Sequence, residues 1–191
     1  MNFNADRVRL FASIDSNLNG RQMLHTLSTS LLPAMMIIAA LSDVSTLRIP
    51  NWLTGLTAAL FFPMALATGM PLVEFGWHLL AGVILFFAGY ALFAGGLFGG
   101  GDAKLMAAAG LWFGTSQTVS FLVLTAVAGG VLAATFALWS VFMVFWEIHS
   151  PMAEASFAQK LKKLSPKVPY GFALAVGAIL AFPQTWWVGV A

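Results

Sequence analysis

The chain has 191 residues, of which 60% are hydrophobic and only 8% are charged, with a formal net charge of +2. Because soluble domains carry about 25% charged residues, this composition is typical of an integral membrane protein. The chain contains no cysteine, which excludes disulfides, thiolate metal sites and a cysteine nucleophile. The few basic residues give no basis for nucleic-acid binding.

A polar tail of mixed charge, residues 1–27, precedes the first long apolar run. Its apolar residues between Val8 and Leu18 recur at a rough helical period, which predicts either an amphipathic helix on a membrane surface or a disordered segment. Residues 28–191 are predicted to form the membrane domain.

Apolar stretches then recur, and a helix needs about 20 such residues to cross the hydrocarbon. The chain has no charge from Leu105 to Trp146, and the cluster Gly114-Thr115-Ser116-Gln117 divides this stretch into a short and a long helix. The sequence therefore predicts an all-α integral membrane protein, a bundle of six transmembrane helices, at about residues 28–43, 52–68, 75–94, 105–113, 118–146 and 168–190. Pro169 suits the first turn of the last helix.

Lysine and arginine mark the cytoplasmic loops of membrane proteins. Here they occupy the loops after the first, third and fifth predicted helices: Arg48, Lys104, Lys160, Lys162, Lys163 and Lys167. The loops after the second and fourth helices have none. We therefore expect Asp43, which ends the first helix, and Asp102, which precedes the fourth, to lie together on the cytoplasmic side.

Charged residues close to hydrocarbon are costly and usually functional. Asp102 follows Gly99-Gly100-Gly101, and glycines let the backbone approach a neighbouring group closely. Structural alternatives remain open: Asp102 as an N-cap of the fourth helix, and Asp43 as a topology marker that pairs with Arg48. A close pair of carboxylates would share one proton, so that the ionised partner activates a water and the neutral partner donates to a peptide carbonyl.

Other polar residues carry weaker predictions. Lys104 is either a cytoplasmic anchor or a residue that tunes the site, and Glu74 with His78, one helical turn apart, is predicted to be a satisfied pair. Three scattered histidines argue against a metal centre. The tryptophans fall mostly near helix ends, as an interfacial belt would.

Three segments together resemble the type IV prepilin peptidases, the bacterial branch of the GxGD aspartic proteases, in the short CpaA/TadV form that serves Flp or tight-adherence pili. The match consists of Asp43 with Arg48-Ile49-Pro50-Asn51, Gly99-Gly100-Gly101-Asp102 with Lys104-Leu105, and Pro169-Tyr170-Gly171.

The resemblance implies that Asp43 and Asp102 are the catalytic dyad and that Gly99 and Gly101 shape the approach to Asp102, and Lys104 belongs to the same motif. Pro169, Tyr170 and Gly171 carry over as a family motif without an assigned role. The implied substrates are type IV prepilins and pseudopilins, cut at the cytoplasmic face of the inner membrane, with lipid and the pilus assembly machinery as further partners. No cofactor is implied, and the missing cysteine-bearing domain argues against N-methylation with S-adenosylmethionine.

Two other functions remain open at this point. A small ion-coupled transporter would use the aspartates as a proton relay, with carboxylates near the membrane midplane. A non-catalytic assembly subunit would use its glycine-rich faces to pack helices.

Overall fold

The computed structural model describes residues 3–148 and 169–189, and every regular element within these two ranges is helical. The first four helices are α1 (Phe3–Thr46), α2 (Asn51–Ala67), α3 (Leu72–Ala94) and α4 (Gly100–Ile148). After residue 168 the chain forms α5 (Tyr170–Ala181), a 3₁₀ turn (Phe182–Gln184) and the short α6 (Trp186–Gly189). The prediction of an all-α fold is confirmed.

Four helical segments of the described ranges are long and apolar enough to cross a membrane, which identifies a membrane protein: Gln22–Thr46, Leu72–Ala94, Gly100–Trp146 and Tyr170–Gly189. Helix α2 is also apolar, but its 17 residues extend only about 26 Å. The count of six crossings stays a prediction.

Helix α4 is interrupted at Gly114, whose φ of 62° and ψ of 178° are not helical. The interruption falls inside the cluster that the sequence predicted to separate two helices. It divides α4 into a first arm, residues 100–113, and a second arm, residues 115–148.

Helix α1 runs through residue 27 without a break, so the boundary between tail and membrane domain stays a prediction. Hydroxyl side chains near the start of its apolar part donate to carbonyls one turn earlier, at 2.6–2.9 Å, for Thr26, Thr29 and Ser30. These polar groups are therefore satisfied within the helix itself, as an apolar surrounding requires.

Glycines and prolines set the helix ends. Gly96, with a φ of 72°, ends α3 in a Schellman motif in which Leu97 N–H donates to Leu92 O at 2.9 Å and Gly96 N–H to Phe93 O at 3.0 Å. Gly69 ends α2 with the same pattern of bonds. Pro50 and Pro71 then start α2 and α3. The ends predicted for the second and third helices, at about residues 68 and 94, agree with the observed ends at Ala67 and Ala94.

The first arm of α4 packs against α2 and α3, and small residues let α3 approach it closely. A Cβ on Gly82 would lie 2.5 Å from Leu111 Cδ2, and one on Gly89 would lie 3.0 Å from Ala103 O. Membrane helices associate through such close backbone contacts. This packing holds the first arm, and with it Asp102, in a fixed position.

The second arm contacts α5 at Thr125 and Gly129, and most of its large apolar side chains are exposed. In a membrane protein these side chains face lipid. The polar segment that follows, with Lys160, Lys162, Lys163 and Lys167, lies outside the described residues.

An aromatic cluster fills the bundle at the Gly114 end and includes Phe61, His78, Trp112 and Trp187. Two of the tryptophans, Trp112 and Trp187, are buried inside the bundle, with 1% and 0% of their surface exposed. Both indoles are buried because their N–H groups find carbonyl acceptors inside the bundle: Thr57 O at 2.9 Å for Trp112 and Trp112 O at 2.7 Å for Trp187.

Candidate active site

Asp43 lies in the last turns of α1 and is only 4% exposed. Its Oδ2 accepts a hydrogen bond from the backbone N–H of Phe172, at 3.3 Å. Phe172 belongs to the first turn of α5, whose amides point toward the carboxylate. A carboxylate at the C-terminal end of its own helix is disfavoured by the helix dipole, and the N-terminus of α5 offsets this.

Asp102 lies in the first turn of α4 and is 8% exposed. One structural alternative made Asp102 the N-cap of this helix. Helix α4 begins at Gly100, however, so Asp102 lies inside the helix and is not its N-cap. Its Oδ2 reaches back and accepts the N–H of Gly99 at 3.1 Å, as an acidic N3 residue does in a capping box. Its Oδ1 is buried and has no hydrogen-bond partner in the described part of the protein.

Ile49 connects the surroundings of the two aspartates. Its Cδ1 lies 2.6 Å from the position of a Cβ on Gly171, which in turn would lie 2.8 Å from Asp43 Oδ2. The Cβ of Ile49 lies 3.1 Å from the position of a Cβ on Gly101, the residue before Asp102. The two carboxyl groups are within electrostatic range of each other. The structure thus places Asp43 and Asp102 at the same end of the bundle, although 58 residues separate them in the sequence.

The glycines of the motif have separate tasks. A Cβ on Gly99 would lie 2.9 Å from Asp102 Oδ2, so this glycine leaves room for the bond that Asp102 makes to the Gly99 amide. A Cβ on Gly101 would press against both the side chain and the backbone of Ile49. Each glycine therefore marks a close approach to Asp102 or to the turn beside Asp43.

The segment Pro169-Tyr170-Gly171 closes the site from the side of α5. Pro169 is buried and is the N-cap of α5, one position before the first turn in which the sequence placed it. The ring of Tyr170 packs on that of Phe98, with 5.2 Å between the centroids, and Phe98 directly precedes Gly99. Gly171 lies against Asp43, and no larger residue fits there without movement.

Lys104 is exposed, and its Nζ donates to Asn51 Oδ1 at 2.8 Å. Both residues line an open groove of about 670 Å³ between α2, α3 and the first arm, together with apolar residues that include Ala107 and Leu111. At 100° per residue these positions lie on the side of the first arm opposite to Asp102. The structure therefore places Lys104 near the dyad in sequence but on another face.

Several contacts of the site were not found in the sequence. Ile49 belongs to the Arg48-Ile49-Pro50-Asn51 motif, but nothing in the sequence indicated that it packs between Gly101 and Gly171. Phe98 contributes a ring contact to Tyr170, and Phe172 contributes a backbone amide to Asp43. No cluster of three or more His, Asp or Glu side chains that could hold a metal occurs in the ranges that the structure describes. The arrangement offers two buried carboxyl groups, with Asp102 Oδ1 unpartnered among the described residues, and carboxyl groups are suited to acid–base chemistry on a peptide.

The fold and this site define a class: a helical membrane protein with two buried aspartates at one end of its bundle. A profile of the type IV leader peptidase family matches residues 30–134, which is more than half of the chain and includes both aspartates. The chain belongs to this family. Membership implies a peptidase whose substrates are prepilins. No curated protein and no solved structure matches the chain.

Proposed function

We propose that the protein is an aspartic endopeptidase of the GxGD type in which Asp43 and Asp102 cleave the leader peptide of Flp-type prepilins and pseudopilins. The chemistry takes place at the cytoplasmic face of the bacterial inner membrane, at the end of a bundle of six transmembrane helices. Neither a metal nor a cofactor takes part. Maturation of the substrate ends with cleavage and includes no N-methylation.

One observation carries this proposal: two carboxyl groups, each costly to bury, approach the same turn from different helices. Each accepts a hydrogen bond from a backbone amide, and Asp102 Oδ1 is left without a partner in the described residues. A purely structural carboxylate would have its oxygens satisfied. The position of both residues at helix ends also differs from the midplane location that a proton-relay transporter requires.

The reaction needs one proton on the pair. The ionised aspartate takes a proton from a water, and the oxygen of that water bonds to the carbonyl carbon of the scissile peptide. The neutral aspartate donates its proton to the carbonyl oxygen, which gives a tetrahedral gem-diol. The intermediate collapses as the C–N bond breaks and the leaving nitrogen receives a proton from one carboxyl group, while the other recovers the hydroxyl proton. Water is the only co-reactant.

A co-expression assay tests this function. A Flp-type prepilin is expressed with the protein in a host that lacks other prepilin peptidases, and the ratio of precursor to mature pilin is followed over time. We expect Asp43→Asn and Asp102→Asn each to lower the cleavage rate by about 10³-fold or more, because each removes a proton carrier that the other cannot replace.

Thr125→Val is the matched control. Thr125 Oγ1 is also buried without a partner in the described part of the chain, but it lies in the second arm of α4. Removing an unsatisfied hydroxyl is nearly neutral for stability, so this variant should process the prepilin within twofold of the wild-type rate. Wild-type cleavage by either asparagine variant, when both are inserted at normal levels, would refute the dyad.

The pH dependence gives a second test. Because activity requires one ionised and one neutral carboxyl group, the rate in detergent should follow a bell-shaped profile whose two limbs belong to the pair. Asp102→Glu retains a titratable group and should retain two limbs at a lower rate. A profile that is flat between pH 4 and 9, with both aspartates present, would contradict the shared proton.

A further inference from the structure

The break between the two arms of α4 is built around one glycine. Gly114 has a φ of 62°, which L side chains rarely adopt, and a Cβ there would lie 2.9 Å from His78 Nε2. The break therefore requires glycine for its backbone conformation and for the space that the imidazole fills. It ends the first arm inside the bundle and leaves carbonyl groups near the break that need donors.

Two aromatic rings supply these donors. His78 Nδ1 lies 2.6 Å from Leu111 O, and a carbonyl oxygen can only accept, so Nδ1 carries the proton. Trp187 Nε1 donates to the next carbonyl, Trp112 O, at 2.7 Å. The sequence predicted a satisfied pair of His78 with Glu74, whereas the hydrogen bond of His78 goes to α4. The end of the first arm is thus capped by side chains of α3 and α6.

The imidazole is itself fixed. His78 is 3% exposed, its ring stacks on Phe61 with 5.6 Å between centroids, and it meets the edge of Trp187 at 6.0 Å. Trp112, within the capped turn, donates to Thr57 O of α2. The cap therefore joins α2, α3, α6 and the first arm at a single point, and neither His78 nor the cap touches the aspartates.

The first arm transmits this position to the site. Asp102 lies ten residues before Trp112, a distance of about 15 Å along a helix. A short helix packed through small residues against α3 moves as a rigid unit, so its axial position at the cap sets the depth of Asp102 at the other end. A shift of about 1 Å between catalytic groups can cost 10²-fold in rate.

We propose that His78 is a positioning residue for Asp102: its hydrogen bond to Leu111 O fixes the axial position of the first arm, and so the approach of Asp102 to the turn beside Asp43. The kinetic part of this proposal rests on the proposed peptidase function. The geometric part does not, because it can be measured without catalysis.

Cross-linking provides the geometric measurement, since the native chain has no cysteine. In the double variant Ile49→Cys/Gly101→Cys the two Cβ positions are 3.1 Å apart, closer than the separation of about 3.8 Å typical of disulfides, so the bond requires a slight outward shift of the turn. Gly129→Cys/Ala173→Cys, at 3.6 Å, is the control pair between the second arm and α5. Disulfide yield after mild oxidation is compared with and without substitution of His78.

His78→Phe keeps a ring for the aromatic cluster and removes the donor, whereas His78→Asn keeps an N–H close to the position of Nδ1. We expect His78→Phe to lower the yield of the 49–101 disulfide at least threefold and to leave the 129–173 yield unchanged. In the prepilin assay it should lower kcat about 10- to 100-fold with KM within threefold. His78→Asn should restore most of both quantities.

Three results would overturn the proposal: an unchanged 49–101 yield in His78→Phe, a His78→Asn variant as impaired as His78→Phe, or equal loss of both disulfides, which would mean general unfolding. Trp187→Phe removes the neighbouring donor and should reproduce the His78→Phe pattern more weakly. If the asparagine variants of Asp43 and Asp102 still cleave prepilin, the peptidase assignment fails while the cross-linking result stands by itself.

Discussion

The two arms of α4 are both apolar but have opposite surroundings. The first arm packs against α2 and α3, and every residue from Leu105 to Phe113 is buried or half-buried. The second arm is longer, contacts α5 at Thr125 and Gly129, and exposes valine, phenylalanine and tryptophan side chains along most of its length. In a bilayer, apolar character alone therefore does not separate a buried helix from one that faces lipid.

Small residues and polar partners make the difference. The first arm has Ala107-Ala108-Ala109-Gly110 where α3 approaches it, and its two ends carry the Asp102 bond to Gly99 and the cap by His78. Lipid gives no hydrophobic drive for helices to associate, so close packing and hydrogen bonds decide which surfaces meet. The first arm is therefore held in position by neighbouring helices, whereas the second arm is surrounded mainly by lipid.

A disulfide at each arm is expected to give the largest difference in the rate of prepilin cleavage. The 49–101 disulfide should stop prepilin cleavage in the cross-linked fraction, because it fixes the turn beside Asp43 to the residue before Asp102 and prevents movement around the substrate. The 129–173 disulfide should leave the rate within twofold. Cleavage is measured before and after reduction, which should raise the rate of the first variant to that of the same double variant before oxidation. Full activity of the cross-linked 49–101 form would show that the two segments need no relative motion.

Gly171→Ala is expected to have the next largest effect. The new Cβ would lie 2.8 Å from Asp43 Oδ2 and 2.6 Å from Ile49 Cδ1, so either the carboxylate or the start of α5 must move. We expect the cleavage rate to fall about 10- to 100-fold. Gly129→Ala is the control. Its Cβ would meet Ala173, which lies on α5 like Gly171, at an ordinary contact distance of 3.6 Å. Equal rates for the two variants would contradict the close approach at Asp43.

The smallest effect concerns stability. A Cβ on Gly110 in the first arm would lie 2.9 Å from Leu85 Cδ1 and 3.1 Å from Ala81 O, whereas one on Gly130 in the second arm meets nothing within 4 Å. Overpacking costs about 1–3 kcal/mol, against a gain of up to about 1 kcal/mol when alanine replaces glycine in a helix. Gly110→Ala should therefore lower the Tm in detergent, and Gly130→Ala should leave it unchanged or raise it. A reversed order would mean that the first arm is loosely packed.

Much of the fold followed from local chemistry. Glycines at 69 and 96 and prolines at 50 and 71 end and start helices through their own backbone preferences, so the breaks could be predicted. The division near Gly114 was also predicted, although the reason for it was not. The membrane class followed from composition. The number of crossings did not follow as firmly, because α2 is short and α4 is long.

Some residues of the candidate site could likewise be predicted from the sequence, and others could not. Asp43 and Asp102 stand out in the sequence because a carboxylate beside hydrocarbon is costly and therefore rare. Ile49, Phe98 and Phe172 did not stand out, because an apolar residue is ordinary in such a chain and a backbone amide has no sequence signature. His78 stood out only because it lies one helical turn after Glu74. Its hydrogen bond goes to the carbonyl of Leu111, 33 residues further along the chain.

The sequence by itself determined a helical membrane protein, several of its helix ends, its family and the two candidate aspartates, because composition and local turns carry that information. Only the tertiary structure decided which groups surround those aspartates: the Phe172 amide, 129 residues from Asp43, the bare Gly171 beside it, and Ile49 between the two motifs. These contacts depend on how helices pack, and packing in lipid rests on shape and hydrogen bonds that no single segment encodes.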